Sequence, residues 1–123
     1  MASKPAFPST PIEAGFVINN ATALNTVDVY TSVGVDSKIG VFVAFNGDTI
    51  DKVLTIYRNV GGTYFKRGEV TLSAGKLTDI LASSVFGNVS FSIKTGNKLS
   101  VAVQTSAVTA GKQIDIFVEG GTY

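Results

Sequence analysis

Hydrophobic and polar residues change places at every second position over most of this chain, the pattern of strands with one buried face. In TVDVYT, Val27 and Val29 alternate with Thr26, Asp28 and Tyr30. In KIGVFVAF, Ile39, Val41, Val43 and Phe45 fall on one face. DKVLTIYRN sets Leu54 and Ile56 against Val53, Thr55 and Tyr57, and EVTLSA sets Val70 and Leu72 against Glu69, Thr71 and Ser73. VSFSIK, KLSVAVQT and KQIDIFVEG repeat the alternation through Phe91 and Ile93, Leu99, Val101 and Val103, and Ile114, Ile116 and Val118. GFVIN, around Phe16 and Ile18, is a weaker strand.

Turn residues separate these runs. Asn46-Gly47-Asp48, Gly61-Gly62, Thr95-Gly96-Asn97 and Gly111 supply the backbone freedom that tight connections need. About eight strands at such spacings predict an all-β fold, an antiparallel β-sandwich of jelly-roll type. Its expected core joins Val41, Val43, Leu54, Ile56, Phe91, Val101, Val103, Ile114 and Ile116. One segment breaks the period. In AGKLTDILASSVFG, Leu77, Ile80, Leu81 and Val85 recur at three- and four-residue spacing. That predicts one short helix of about two turns, or an irregular lid, over an open end of the sandwich.

The N-terminus differs again. All three prolines fall at Pro5, Pro8 and Pro11. Proline fixes φ and lacks an amide hydrogen, so this stretch forms neither a helix nor a central strand. Residues 1–13 are expected to be an extended N-terminal arm, and residues 14–123 a single β-sandwich domain. Phe7 and Ile12 give the arm apolar side chains to bury on another subunit, and the prolines lower the entropy lost on docking.

Composition narrows the chemistry. The 123 residues include no cysteine and no histidine, so the commonest general base, metal ligand and thiol nucleophile are all missing. The nine carboxylates fall mostly in turns or on outward strand positions, where solubility accounts for them. The loop Asn46–Asp51, read as NGDTID, lacks the ligand spacing and closing glutamate of a calcium loop, so Asp48 and Asp51 read as turn formers. Gly75-Lys76 and Gly111-Lys112 lack the rest of a phosphate loop. Asn20-Ala21-Thr22 and Asn88-Val89-Ser90 have the form of glycosylation acceptors, which matters only in a secreted chain, and no signal-peptide pattern precedes them. The expectation is therefore a protein that is not an enzyme and needs no cofactor or metal. A net charge of +1 gives no reason to expect nucleic acid or a membrane as partner. Tyr57, Tyr64 and Phe65 flank Arg58, Lys66 and Arg67 around Gly61-Gly62. They read first as an outer sheet face whose aromatics cover neighbouring strands, and next as a protein-contact patch.

Several short motifs then line up along the chain. They are Ile18-Asn19-Asn20-Ala21, Val27-Asp28-Val29-Tyr30-Thr31, Asp36-Ser37-Lys38-Ile39 and Leu54-Thr55-Ile56-Tyr57 with Gly61-Gly62-Thr63-Tyr64. Leu72-Ser73-Ala74-Gly75 and the closing Ala110-Gly111-Lys112-Gln113-Ile114-Asp115-Ile116 with Gly121-Thr122-Tyr123 complete the series. In these motifs and in its Pro-rich start, the chain resembles the head decoration proteins of tailed bacteriophages, nearly end to end. It departs at Ser73, where that family has proline, and in a shorter loop after Gly75. The resemblance implies a structural virion protein, made in the host cytoplasm, that binds the outer surface of the capsid and stabilises the head. It implies the major capsid protein as partner and a homotrimer as the working form. The alternative is a receptor- or carbohydrate-binding module of a phage tail or fibre. The residues expected to make protein contacts are Pro5, Phe7, Pro8, Pro11, Ile12, Tyr57, Tyr64 and Phe65.

Overall fold

The computed structural model describes residues 10–83, 91–103 and 106–122. Pro5, Phe7 and Pro8 of the expected arm, Val85 of the expected lid, the Asn88–Ser90 triplet, Gln104 and Tyr123 lie outside the described residues. So does the side chain of Phe91.

Among the described residues, nine strands form two antiparallel sheets. They are β1 (Thr10–Asn19), β2 (Val27–Thr31), β3 (Ser37–Asn46), β4 (Lys52–Val60), β5 (Thr63–Leu72), β6 (Leu77–Asp79), β7 (Phe91–Ile93), β8 (Lys98–Val103) and β9 (Gln113–Thr122). One sheet runs β1-β9-β3-β6, with β7 beside β6 along the same edge of β3, and the other runs β2-β8-β4-β5. Their inner faces meet in one core, a β-sandwich, in which Ile18, Phe42, Leu54, Ile56, Leu99 and Val101 are fully buried.

Most expected core positions are buried: Leu54, Ile56, Val101, Val103, Ile114 and Ile116. Val41 and Val43 are not. Val41 is 39% exposed and Val43 half-buried, while Phe42 and Ala44 between and beside them are buried. The cause is a β-bulge. Ile39 pairs with Gly120 but Val41 pairs with Glu119, so Gly40 is an extra residue and the inward phase of β3 reverses behind it. Ile39 faces in, and Val41, Val43 and Phe45 face out.

The bulge needs its glycine on the opposite strand. A Cβ on Gly120 would lie 1.9 Å from the Lys38 carbonyl oxygen, whereas one on Gly40 would meet nothing within 4 Å. The β4–β5 hairpin uses glycine differently. Val60 and Thr63 close a two-residue turn whose Gly61 and Gly62 have φ of +60° and +91°, the left-handed pair that matches strand twist.

Two other segments depart from expectation. Residues 77–83 form no helix. β6 pairs Leu77 with Phe45 and Asp79 with Val43, and the chain then turns inward so that Ile80 and Leu81 are buried. The three- and four-residue spacing came from a strand leaving its sheet, with Leu77 on one side and Ile80 on the other. The first strand also starts inside the expected arm, at Thr10, and Pro11 pairs with Gly121. β1 is an edge strand, where a missing amide is tolerated.

Gly120→Ala should destabilise the domain by about 2 kcal/mol or more, because backbone must shift to admit the methyl group. Gly40→Ala, in the same bulge, should stay within about 0.5 kcal/mol of the parent. Urea unfolding of the two variants checks the contrast; equal stabilities would contradict this account of the bulge.

Candidate functional site

Behind the bulge, the outer face of the β1-β9-β3-β6 sheet takes an unusual composition. Cross-strand pairing places its side chains in rows. One row is Val17, Asp115, Phe45 and Leu77; the next is Gly15, Phe117, Val43 and Asp79; the third is Glu13, Glu119 and Val41. Phe45 is 41% exposed and Leu77 64%. Large apolar groups open to solvent are grouped on this face rather than scattered singly. The charged members of these rows are all acidic, and Gln113, next along the same face of β9, donates to Asp115.

Glu13 stands directly opposite Glu119. Like charges so placed repel across the strands. An open groove of about 290 Å³ runs along this pair, lined also by Pro11, Ile12, Gly40, Val41 and Gly120. Of the expected contact residues, Pro11 is exposed at this groove, while Ile12 is half-buried against the domain's own core.

The β4–β5 hairpin projects from the other sheet. The first seven residues of the returning strand, from Thr63 to Glu69, are exposed apart from the half-buried Gly68. The expected aromatic cluster divides here. Tyr57 and Tyr64 share the outer face and meet edge to face, 5.8 Å between centroids at 64°. Phe65 pairs with Arg58 on the opposite face and is 54% exposed. A second bulge, where Ile56 pairs with Gly68 and Tyr57 with Lys66, leaves Arg67 as the extra residue. Lys66 contacts Glu69. Burial and the nearby Arg67 charge both lower the Arg58 pKa.

The loop between β3 and β4 is a structural latch, in keeping with the turn-former reading. Asn46 is fully buried; its amide donates to the carbonyls of Leu72 (2.9 Å) and Ile50 (3.0 Å), and its Oδ1 accepts from the Asp48 amide (2.9 Å). Asp48 accepts from the Thr109 amide and hydroxyl, both at 2.8 Å, and from the Thr49 amide. Lys52, also buried, donates to Ser106 and to the Ala107 carbonyl, with its Nζ 3.9 Å from Asp48. The Thr109 amide is the main reason that the Asp48 carboxyl is held down to about 2. Asp51 accepts from the Ala74 amide.

Sequence reasoning missed Lys52, because a lysine at a strand start reads as solvated. Asp48, four residues before it, is the one local sign; its hydrogen-bond partners are more than fifty residues away in sequence.

Four further carboxylates are engaged, Asp115 by the Gln113 amide. Asp28 accepts from Ser100 and Lys98, which outweigh the upward push of burial and lower its pKa. Asp36 accepts from Thr95, and Asp79 from the Ala82 amide. Among the described residues, no three His, Cys, Asp or Glu side chains stand together as a metal site.

Asp48 makes stability pH-dependent in a definite direction. Its folded pKa of about 2 lies below the ordinary 3.8, so its contribution is complete above 3.8 and is lost as pH falls through about 2. Asp48→Asn should lower the melting temperature at neutral pH, since Lys52 would keep its buried charge without a counterion. The variant should also show a shallower loss of stability between pH 3.8 and about 2 than the parent. Parallel melts across that window check both expectations.

No protein-family model matches the chain, and no curated protein does. Among solved structures, the chain is similar to one from the Bacillus endospore appendages, a family of disulfide-linked pili. That match has 10% identity and a TM-score of 0.45 and covers 100% of this chain and 98% of the other. It is also similar to Eiger TNF from S. frugiperda, at 12% identity and a TM-score of 0.42, covering 93% and 95%. At these scores neither likeness carries a functional argument; the two sheets themselves make this a small all-β domain.

Proposed function

We propose that this protein is a structural subunit of a tailed-phage particle that binds the outer surface of the capsid and stabilises the head. The observation that carries the reading is the apolar outer face of the β1-β9-β3-β6 sheet, open to solvent on a small two-sheet domain. The motifs shared with head decoration proteins supply the setting. The strand orders, with β9 between β1 and β3 and β8 between β2 and β4, support the jelly-roll class.

The mechanism is binding. Each copy contacts the major capsid protein and its own neighbours, as a homotrimer in the form that the resemblance implies. Individually modest contacts add up because the shell holds them together. The work is not enzymatic, and it requires no cofactor. The engagement of Asp36, Asp48 and Asp51 in loops and of Asp28 and Asp79 on strands supports that reading.

A receptor- or carbohydrate-binding role on a tail or fibre is the second reading. The Tyr57–Tyr64 pair is its specific support among the described residues, and rings inclined at 64° do not make one flat platform for a sugar.

Purified protein should cosediment with expanded, protein-only shells of the phage that encodes it, and should raise the temperature at which they break. Phe45→Asp with Leu77→Asp should remove most of that binding and leave the domain's own melt nearly unchanged. Absence of shell binding would overturn the proposal. Saturable sugar binding abolished by Tyr64→Ala would replace it with the second reading.

A further inference from the structure

We propose that the acidic, apolar face of the β1-β9-β3-β6 sheet receives the β4–β5 hairpin tip of a second copy of this chain, so that copies join head to tail. The inference rests on reading that face as a contact surface: the tip takes the groove at the Glu13–Glu119 end, and the Phe45–Leu77 row, two rows away, is left to the shell.

The first argument is the separation of charge. The three outward rows behind the bulge contain Glu13, Asp79, Asp115 and Glu119 and no cation. The hairpin carries Lys66 and Arg67 against the single carboxylate Glu69, while Arg58 lies on the face opposite Lys66 and donates to the Ser92 carbonyl. The whole chain has a net charge of only +1, so the two surfaces reflect sorting of opposite charges rather than an overall excess. Complementary potentials of this kind steer encounter and fix orientation.

The second argument is local. The Glu13–Glu119 pair bears a cross-strand repulsion in the isolated domain, beside an open groove. An arginine or lysine entering that groove relieves the repulsion and lays its apolar stem on Val41 and Pro11. Both cation types stand side by side at Lys66 and Arg67, next to the exposed Phe65. The Lys66–Glu69 contact is solvent-exposed, so exchanging it for a new partner costs little.

The third argument selects the geometry. Two copies packed face to face would set four carboxylates against four, and two hairpins packed tip to tip would oppose their cations. Both isologous arrangements are repulsive. The face and the tip belong to different sheets and share no residue, so one copy engages two neighbours at once. Such a heterologous contact closes into a ring where the rotation permits and otherwise grows as a chain.

Sedimentation of the purified full chain over a range of concentrations, at low and high salt, tests the proposal. The mass should rise with concentration and fall with salt. K66E/R67E and E13K/E119K should each weaken association about tenfold or more, with melts that show both folded. Mixed one to one, the unchanged tip of one variant meets the unchanged face of the other and the two reversed surfaces are again opposite in charge, so the mixture should be heavier than either variant alone. Should E13K/E119K fail to fold, Glu119→Gln should weaken association in the same direction. A strictly monomeric wild type, association indifferent to both charge reversals, or a mixture no heavier than its components would overturn the proposal. Association without shell binding would remove the capsid reading and keep this one, and shell binding by a monomer would do the reverse.

Discussion

Asn46 sets the phase of β3, and the arrangement of both faces of its sheet follows. Its side chain must lie inside, because it supplies the buried Leu72 carbonyl and fixes the Asp48 amide. Leaving a buried carbonyl without a partner costs about 1–3 kcal/mol, comparable with the roughly 1.5–3 kcal/mol gained by burying one phenylalanine. With Asn46 inward, Ala44 and Phe42 are inward too, and Phe45, Val43 and Val41 are outward. Ile39 must also be inward, to fill the core near Ile93. Both demands can be met only if β3 gains a residue between Ile39 and Val41. The bulge at Gly40 is that residue, and Gly120 is what lets β9 tolerate it.

The same choice explains why the outer face is apolar. A strand with uninterrupted phase would bury Val41, Val43 and Phe45 and expose Phe42 and Ala44. Burial alone favours that arrangement, and the fold does not adopt it. The apolar residues displaced outward are grouped over four strands with Val17, Phe117 and Leu77 rather than scattered. A local rule broken in this way, with the side chains collected in one place, is what a contact surface requires. The latch around Asp48 and Lys52 then fixes the β3–β4 and β8–β9 loops to each other, which keeps that surface rigid.

The sandwich was legible because alternation is a local property. Leu54, Ile56, Val101, Ile114 and Ile116 needed only their neighbours to be placed. The first strand was legible in principle, since Ile12, Ala14, Phe16 and Ile18 alternate inward through the proline that suggested an arm. The bulge was not: Gly40 looks like any glycine, and its effect depends on Asn46 six residues on and on Gly120 in another strand. Residues 77–83 imitated a helix because a strand that leaves its sheet turns successive apolar residues to different sides. Of the candidate contacts, Tyr57 and Tyr64 came together as their spacing suggested. Phe65 was separated from them by strand alternation, and the acidic face was visible only once cross-strand register joined Glu13 to Glu119.

The place of β9 also has a consequence for how the chain acquires its structure during synthesis. β9 lies between β1 and β3, and those two strands have no direct pairing. The first sheet therefore cannot close until Thr122 has left the ribosome, about a hundred residues after β1, a separation at which loop closure is slow. Until then β1 and β3 offer unpaired edges and the apolar residues of KIGVFVAF to any neighbouring chain. The three β-breaking prolines stand before and just inside β1, and Gly40 interrupts β3, where either strand could otherwise add to an intermolecular sheet. Features that shape the finished surface also guard the unfinished one.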